Sequence, residues 1–257
     1  MKNYALITGA SKGLGKCFST ELAKRKYNLI LVSLPDEGLK ETAIALEEQH
    51  SVEVHIHETD LGIKENVLNL ANWVNKNFSV NILINNAGIG GSKHFSDAKE
   101  DYLNDIIQLN VMAPTLLTAE LLPNLKNKEN AYILNVSSLA ALSPMAYKTV
   151  YPASKAFIQS FSRGLNRELK HTPVSVSVVN PGGMKTNAET TKRLNKQGFI
   201  GQIASRKPEI VARYCINGLL MKKEVIKVNF LSWLFLKTAP SWLLIPILSR
   251  RIKKELG

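Results

Sequence analysis

Short apolar segments alternate with longer amphipathic segments along this chain, and the alternation predicts where its strands and helices lie. Several apolar segments are continuous runs of leucine and β-branched residues, as at residues 29–32, which is typical of strands covered on both faces. Seven strands are predicted, at residues 4–8, 28–33, 52–59, 81–85, 131–137, 174–180 and 225–229. Six helices are predicted, at about residues 13–25, 37–49, 63–77, 100–125, 150–171 and 208–221.

Strand and helix alternate six times, which indicates right-handed crossover connections and a parallel sheet. No internal repeat, low-complexity segment or linker divides the chain. The sequence therefore predicts an α/β fold, a doubly wound parallel sheet in a single domain over residues 1–229. A chain of 257 residues with 45% apolar residues can bury such a core, which excludes a disordered or fibrous protein.

Residues 230–257 depart from this alternation and form an apolar C-terminal extension. Residues 230–248 are strongly apolar, but Lys237, Pro240 and Pro246 interrupt them. A membrane-spanning helix needs about 20 uninterrupted apolar residues. Two short amphipathic segments are expected instead, followed by a basic terminus at residues 250–254.

The net charge of +12 is concentrated in the last part of the chain. Residues 185–257 carry 15 basic and 4 acidic side chains, whereas the first 184 residues carry 18 and 17. This asymmetry favours a local electrostatic role over general solubility. The two cysteines, Cys17 and Cys215, exclude a disulfide scaffold and indicate a reducing compartment. Because a strand is predicted from Tyr4, no signal peptide is expected, and the protein is predicted to be cytoplasmic.

The first predicted strand leads into a glycine-rich turn, and a helix follows. Gly9, Gly13 and Gly15 allow a tight turn and let a pyrophosphate approach the N–H groups at the helix start. Their G-x-x-x-G-x-G spacing differs from the commoner G-x-G-x-x-G fingerprint. A tight corner would explain the glycines alone, but their position after strand one of a doubly wound sheet favours a nucleotide site.

Tyr151 and Lys155 are four residues apart in a predicted helix, so their side chains share one helix face. A tyrosine with the ordinary pKa of about 10 is a poor acid–base catalyst at neutral pH. An ammonium group one turn away favours the phenolate and is expected to lower the pKa of Tyr151. Ser138 follows strand five, where its hydroxyl could hold a substrate carbonyl oxygen, and the neighbouring Ser137 is an alternative.

These residues resemble, in order, the motifs of the classical short-chain dehydrogenase/reductase family. The resemblance covers roughly the first 220 residues and rests on Thr8-Gly-x-x-x-Gly-x-Gly15, Asp60-Leu61, Asn85-Asn86-Ala87-Gly88, Asn110, Ser138, Tyr151-x-x-x-Lys155 and Pro181-Gly182. It implies a Rossmann-like fold, a nicotinamide cofactor, and hydride transfer at a carbonyl or alcohol carbon.

The resemblance also implies a role for each motif. Tyr151 would transfer the proton, and Lys155 would lower its pKa and bind the nicotinamide ribose. Ser138 would orient the carbonyl, and Asn110 would support a water relay behind Lys155. The implied cofactor contacts are Gly9, Ser11, Lys12, Gly13, Leu14, Gly15, Ser33, Asp60, Leu61, Asn86, Ala87, Gly88, Tyr151, Lys155, Pro181, Gly182 and Thr186.

The choice between NAD and NADP depends on the end of strand two. An acid there would pair with the ribose 2′-hydroxyl and repel a 2′-phosphate, but this chain has Ser33 followed by Leu34. Lys12 supplies a cation that could reach a 2′-phosphate, while Asp36 is a counter-argument. NADP is therefore predicted, with NAD as the alternative.

The substrate is expected to depend on the variable segment at about residues 184–207 and on the extension. Cations there fit a carbonyl substrate with an anionic or long-chain part, and the apolar extension suggests a lipophilic one. The extension itself could be a lid, a subunit contact, or a peripheral contact with the inner face of a membrane, where Trp233 and Trp242 would suit the interface.

An active NADP-dependent reductase is the primary hypothesis. The alternatives are a nucleotide-sensing regulator without turnover and a membrane-surface interaction protein with the same fold. The resemblance implies a homodimer or homotetramer. No nucleic-acid module is recognisable, and no metal is predicted, because His55 and His57 lack a third ligand.

Overall fold

The computed structural model describes residues 2–184 and 206–256. The strands are β1 (Tyr4–Thr8), β2 (Asn28–Ser33), β3 (Val54–Glu58), β4 (Val80–Asn85), β5 (Ala131–Val136), β6 (Val174–Val179) and β7 (Val225–Ile226). They form one sheet in the order β3-β2-β1-β4-β5-β6-β7, and every neighbouring pair is parallel. This is the Rossmann-like, doubly wound α/β fold, and the predicted fold class is confirmed.

The helices among the described residues connect these strands and extend beyond them. They are α1 (Gly13–Lys24), α2 (Leu39–His50), α3 (Lys64–Asn77), α4 (Glu100–Ile107), α5 (Ala113–Lys126), α6 (Val150–Glu168), α7 (Pro208–Leu220), α8 (Phe230–Thr238) and α9 (Ser241–Leu256). A π-helical turn, Gln108–Met112, joins α4 to α5, and a 3-10 turn, Leu139–Leu142, follows β5. The single helix predicted at residues 100–125 is therefore interrupted, which periodicity alone does not show.

The sheet is covered on both faces, as its apolar strands predict. On one face, Phe18 and Leu22 of α1 pack with Ile216 and Leu219 of α7. On the other face, α3, α5 and α6 cover the strands through a second buried cluster. The chain leaves β1 toward β2 and later returns from β3 to β4, so the strand order reverses between β1 and β4. A crevice opens at the carboxyl ends of strands where such a reversal occurs.

The extension forms two helices, α8 and α9, that meet at Pro240, as two segments were predicted. The second helix, α9, continues through Pro246 and includes the basic terminus, which was expected to follow the two segments. A proline inside a helix removes one backbone hydrogen bond, and here the buried side chains of Leu244 and Ile252 hold α9 against the domain.

One helical stretch of the described residues, Glu100–Lys126, is long and apolar enough to cross a membrane by length and composition. It comprises α4, the π-helical turn and α5. Its leucines at positions 117, 121 and 125 are buried in the cluster beneath the sheet. These leucines pack one side of the stretch into the core of the domain.

Candidate active site

The glycine-rich turn connects the end of β1 to the start of α1. Gly9 and Gly13 have φ angles of 65° and 58°, which favour glycine because a Cβ is disfavoured there. At Gly15 a Cβ would overlap the carbonyl oxygen of Gly9. The turn can therefore bring the free N–H groups at the start of α1 close to an anionic ligand.

Asn86 joins this turn to the neighbouring strand end. Its side-chain nitrogen donates to the carbonyl oxygens of Thr8 and Gly9 at 3.0 and 3.1 Å. In return, Thr8 Oγ1 accepts from the backbone N–H groups of Asn86 and Ala87, both at 3.0 Å. These bonds fix the two walls of the crevice at the point where the strand order reverses.

Tyr151 and Lys155 lie on the same face of α6, as their spacing predicts. Lys155 is buried, its Nζ donates to the carbonyl oxygen of Val136 at 3.1 Å, and it lies 6.0 Å from the centre of the Tyr151 ring. Ser138 follows β5, hydrogen-bonds to Tyr151 and accepts from the backbone N–H of Ala140 at 3.1 Å. The structure thus brings the phenol, the ammonium and the hydroxyl together.

Ser137, the alternative to Ser138, also lines the cleft, but its hydroxyl is engaged with the backbone of α6. Its hydroxyl is buried and donates to the carbonyl oxygen of Lys155 at 2.7 Å. It helps to hold α6 against β5, whereas Ser138 hydrogen-bonds to Tyr151. Ser138 is therefore the residue positioned to meet a substrate.

The pKa of Tyr151 differs from the sequence-based expectation. Burial raises the pKa of Tyr151 above the ordinary tyrosine value, and the hydrogen bond with Ser138 lowers it only in part. Burial also lowers the pKa of Lys155 to about 8. The lowering expected from Lys155 is not found: its ammonium donates to the carbonyl oxygen of Val136, and burial of the phenol dominates the pKa of Tyr151. Tyr151 is consequently a protonated acid at neutral pH.

Asn110 occupies the π-helical turn, a type of distortion that is frequent at functional sites. Its side chain accepts from the backbone N–H of Ile89 at 2.9 Å and donates to Ile89 O at 2.8 Å and to Ser154 Oγ at 3.1 Å. Asn110 therefore holds the loop after β4 against α6. Its part in a water relay stays a prediction.

One cleft of about 760 Å³ connects the glycine-rich turn to Tyr151. Most of the predicted site residues line it: Gly9, Ser11, Lys12, Gly13, Leu14, Ser33, Asp60, Leu61, Asn86, Ala87, Gly88, Ser138, Tyr151, Lys155, Pro181 and Gly182. Gly15 and Asn110 do not line it and act through packing and positioning. Thr186 and most of the segment 184–207 lie outside the described residues.

Sequence reasoning missed one acidic side chain in the cleft, Glu37. Its carboxylate pairs with Lys12 at 2.5 Å and accepts from Ser11 Oγ at 2.6 Å. Burial alone would raise the pKa of Glu37, but the hydrogen bonds from Lys12 and Ser11 hold it below the ordinary value. Asp36, the acid that the sequence singled out, is exposed beside it. No local pattern distinguishes the two carboxylates, because only the fold turns Glu37 toward Lys12.

The extension also contributes side chains that sequence reasoning did not assign to the site. Leu248, Arg251 and Ile252 of α9 line the cleft. Met145 and Lys148, from the loop before α6, line the same region, and Lys148 Nζ lies 5.5 Å from the centre of the Tyr151 ring. The spacing of Leu248, Arg251 and Ile252 places them on one helix face, which would have been the signal to look for.

The cleft has the features that a dinucleotide requires. Gly88 lines the cleft, and a Cβ there would lie 2.9 Å from Asn110 Oδ1 and 3.1 Å from Lys155 Nζ, so glycine keeps these two side chains in place. The glycine turn supplies backbone N–H groups, and Lys12 and Lys155 supply positive charge. By contrast, no group of three metal-ligating side chains occurs among the residues that the structure describes.

A parallel sheet of this order, with a glycine turn at its switch point and a Ser-Tyr-Lys group in the same cleft, defines a nucleotide-dependent oxidoreductase. A family model described as short chain dehydrogenase matches residues 3–197. The chain belongs to this short-chain dehydrogenase/reductase family, and it is an oxidoreductase that acts on CH–OH groups.

Curated relatives include enzymes with acyl and steroid substrates in their names. The chain is 30% identical to a very-long-chain 3-oxoacyl-CoA reductase of Anas platyrhynchos, over 90% of this chain and 74% of that protein. It is 33% identical to human 17-beta-hydroxysteroid dehydrogenase type 3, over 76% of this chain and 63% of that one. It is also 28% identical to human inactive hydroxysteroid dehydrogenase-like protein 1, over 98% and 78%.

Solved structures agree with the fold. A short-chain dehydrogenase from Sphingobium yanoikuyae in complex with NADPH superimposes with a TM-score of 0.79 at 26% identity and covers 89% of this chain and 88% of its own. L-sorbose reductase from Gluconobacter frateurii, complexed with NADPH and L-sorbose, gives a TM-score of 0.79 at 25% identity and covers 88% and 93%.

Proposed function

We propose that this protein is an NADP(H)-dependent reductase of lipophilic or acyl-type carbonyl compounds. The observation that carries the proposal is the single cleft that joins the glycine-rich turn to Ser138, Tyr151 and Lys155. A silent regulator would have no need for a protonated tyrosine and a serine hydroxyl that meet beside a nucleotide site. One of the matched relatives is nevertheless named inactive, so turnover must be measured.

Each step that the chain itself performs follows from the placement of these groups. The glycine turn and the start of α1 would bind the pyrophosphate, and Lys155 would bind the nicotinamide ribose. The bound nicotinamide supplies the hydride. Ser138 donates a hydrogen bond to the carbonyl oxygen, and Tyr151 gives its proton to the same oxygen as negative charge develops there. The raised pKa of Tyr151 keeps the phenol protonated at neutral pH, so that its proton is present when charge develops on the carbonyl oxygen.

The preference for NADP(H) has three supports. β2 ends in Ser33 rather than in an acid, Lys12 lines the cleft beside it, and the two solved relatives described above are complexes with NADPH. Glu37 opposes this preference, because its carboxylate forms an ion pair with Lys12, the cation that would bind the 2′-phosphate. A 2′-phosphate would have to replace Glu37 as the partner of Lys12.

The substrate class is inferred from the apolar side chains that line the cleft and from the names of the relatives. Met145, Leu248 and Ile252 are apolar side chains that line the same cleft as Tyr151. The curated relatives named above act, by their names, on acyl-CoA and steroid substrates. These observations support a lipophilic ketone or an acyl-type carbonyl compound as the substrate.

The test is an NADPH-oxidation assay over ketones of graded chain length, with Tyr151→Phe as the matched variant. The phenylalanine keeps the ring and removes the proton donor, so we expect a loss of at least about a thousandfold in kcat/KM with NADPH binding retained. If no carbonyl compound is reduced, or if Tyr151→Phe turns over at the wild-type rate, the proposed function is wrong.

A second candidate role, contact with a membrane surface, is favoured by the side chains that α8 and α9 expose. Leu231 and Trp242 are each 76% exposed, and further apolar side chains are exposed at Phe230, Phe235 and Leu243. The exposed cations of α9 include Arg250, Lys253 and Lys254. Apolar and basic side chains together suit an anionic lipid surface. We propose that the enzyme works in the cytoplasm at the inner membrane face.

The homodimer or homotetramer implied by the family remains part of the proposal. Phe157 on α6 and Met112 in the π-helical turn are exposed large apolar side chains that a second copy would cover. Light scattering at several protein concentrations measures the assembly directly. A monomeric mass at every concentration would contradict it.

A further inference from the structure

Helix α8 exposes a continuous apolar face. Four large apolar side chains are exposed along it: Phe230, Leu231, Leu234 and Phe235. The three- and four-residue steps between them place them on one side of the helix. Trp233, on another side, is buried, and α8 packs against the 3-10 turn that follows β5. The helix is thus fixed on the domain in a position that leaves its apolar face in water, and such a patch marks a surface that a partner covers.

Two lysines lie along one border of this apolar face. Lys227 Nζ is 4.1 Å from the centre of the Trp233 ring and 5.6 Å from the centre of the Phe230 ring. Lys237 Nζ is 4.9 Å from the centre of the same Trp233 ring, and Lys237 follows Phe230 by two helical turns. Because Trp233 is buried and Phe230 is exposed, both ammonium groups lie where α8 passes from its buried side to its apolar face.

The charge around these lysines is positive. Residues 225–254 contain six basic side chains and no acidic one. Among the residues that the structure describes, no acid forms an ion pair with Lys227 or Lys237, and the preceding acid, Glu224, pairs with Arg163. An aromatic ring attracts a cation but leaves its charge in place. The two ammonium groups therefore repel each other, and an anion that contacts both would relieve the repulsion.

We propose that Lys227 and Lys237 bind the head group of an anionic phospholipid while the apolar face of α8 enters the acyl-chain region, so that α8 lies along the membrane surface. A lysine at the edge of an interfacial helix keeps its charge at the level of the head groups while its carbon stem contacts apolar surface. This inference rests on the proposed membrane contact. It adds the helix that enters the membrane, the orientation of that helix and the lipid group that it binds.

The first experiment measures the Kd of the full-length protein for vesicles of phosphatidylcholine, with and without phosphatidylglycerol. We expect at least about tenfold tighter binding to the vesicles with phosphatidylglycerol. Lys227→Gln combined with Lys237→Gln should weaken this binding at least about tenfold, because each basic side chain near an anionic surface contributes to it. Lys227→Arg combined with Lys237→Arg keeps both charges and should bind as the wild type does.

Lys24→Gln combined with Lys40→Gln is the matched control. Lys24 of α1 and Lys40 of α2 are exposed, and their replacement lowers the net charge by the same amount outside the extension. The Kd of this variant for the anionic vesicles is expected to equal that of the wild type. An equal loss of binding in this control would overturn the inference, because the effect would then be one of net charge.

A second experiment tests the orientation of α8. Phe235→Trp places a fluorophore on the apolar face, and its added emission should fall when the anionic vesicles contain lipids with brominated acyl chains, which quench tryptophan on contact. Ile44→Trp on α2 is the control, because Ile44 is an exposed apolar residue outside the extension, and its added emission should stay unchanged. This measurement keeps both lysines, so it decides the matter even where the glutamine variant does not fold.

The outcomes separate this inference from the proposed membrane contact. Wild-type binding to anionic vesicles that the glutamine variant retains, or that leaves Phe235→Trp unquenched, would overturn the inference and leave the membrane contact to α9. Absence of wild-type binding to either kind of vesicle would overturn both. If a second copy of the chain covers the apolar face instead, vesicles are not bound and Phe235→Glu converts a dimer to a monomer in light scattering.

Discussion

Lys155 shows how burial prepares a side chain for its task. Its ammonium group lies in the protein interior, where the carbonyl oxygen of Val136 accepts its hydrogen bond, and burial lowers its pKa to about 8. Tyr151 lies one turn away, and burial moves its pKa in the opposite direction, because the charged form of a phenol is the deprotonated one. Both groups therefore carry their proton at neutral pH.

The first prediction concerns the pH dependence of ketone reduction. Reduction needs the protonated phenol and the charged ammonium, and the ammonium is the group with the lower pKa. We expect kcat/KM to be constant between about pH 6 and 7 and to fall roughly tenfold per pH unit above about 8. Steady-state rates across this range measure the profile.

Lys155→Arg is the informative variant for that profile. A guanidinium does not titrate below about pH 12, so the decline near pH 8 should vanish, whatever the absolute rate. A wild-type profile that is level to pH 9.5, or a decline near 8 that persists in the arginine variant, would show that another group controls the rate.

A second prediction concerns Glu37, whose carboxylate holds Lys12. Glu37→Gln removes the competing charge and frees Lys12 for a 2′-phosphate. We expect the dissociation constant of NADPH to fall by about five- to thirtyfold, and that of NADH to stay the same or rise. Fluorescence titration of both nucleotides gives the ratio.

Asp36→Asn is the control for Glu37, because Asp36 is the adjacent, exposed carboxylate. It removes the same charge without touching Lys12. If both variants change the nucleotide preference equally, long-range charge rather than the Glu37–Lys12 pair is responsible. An unchanged preference in Glu37→Gln would exclude Lys12 as the 2′-phosphate ligand.

At the scale of elements, the loop after β4 and helix α6 determine where the tyrosine ring lies. Asn110 holds this loop through two hydrogen bonds to Ile89, and the π-helical turn directs Asn110 toward it. Gly90, the next residue, lies so close to Tyr151 that a Cβ would come within 2.9 Å of the ring. The loop and the helix therefore form one wall of the active site.

A third prediction tests this contact. Gly90→Ala should displace the Tyr151 ring and lower kcat/KM for ketone reduction by at least about tenfold, because small displacements of a reacting group are costly. The melting temperature should change little, since Gly90 is exposed. Gly91→Ala is the matched control in the same loop, because its Cβ meets the hydroxyl end of Tyr102, which can rotate away. Equal rate losses in both variants would contradict the contact argument.

At the scale of the whole molecule, the extension faces two environments. Leu248, Arg251 and Ile252 line the cleft, while Trp242 and Leu243 on the same helix are exposed. A lipophilic substrate leaving a membrane would meet the apolar face of α9 before it reaches the cleft. This arrangement connects the proposed substrate class with the proposed membrane contact.

A fourth prediction addresses that contact. In a flotation assay, the full-length protein should rise with vesicles that contain anionic lipid and less with neutral vesicles. The double variant Leu231→Glu and Trp242→Glu should lose flotation, because it replaces an exposed apolar side chain of α8 and one of α9 with negative charges. Ile44→Glu is the control, since Ile44 is an exposed apolar residue of α2, away from the extension. If the wild-type protein stays at the bottom of the gradient while the anionic vesicles float, the membrane role is excluded.

Much of this molecule is determined by the sequence alone. The α/β fold with its parallel strands follows from local hydrophobic periodicity, because a strand covered on both faces must be apolar throughout. The Gly9–Gly13–Gly15 turn and the Tyr151–Lys155 pair follow from fixed short spacings. Their roles were assigned by the family resemblance, and the structure places most of them in one cleft.

Only the tertiary structure decided the features that depend on distant parts of the chain. Three features leave no local pattern in the sequence: the ion pair of Glu37 with Lys12, the hydrogen bond of the Ser137 hydroxyl to the backbone of α6, and the presence of Arg251 in the cleft. The pKa of Tyr151 was wrongly expected to fall, because spacing gives a shared helix face but not the degree of burial. Burial and long-range contact arise only when separate elements pack, and they set both the charge state and the partners of these side chains.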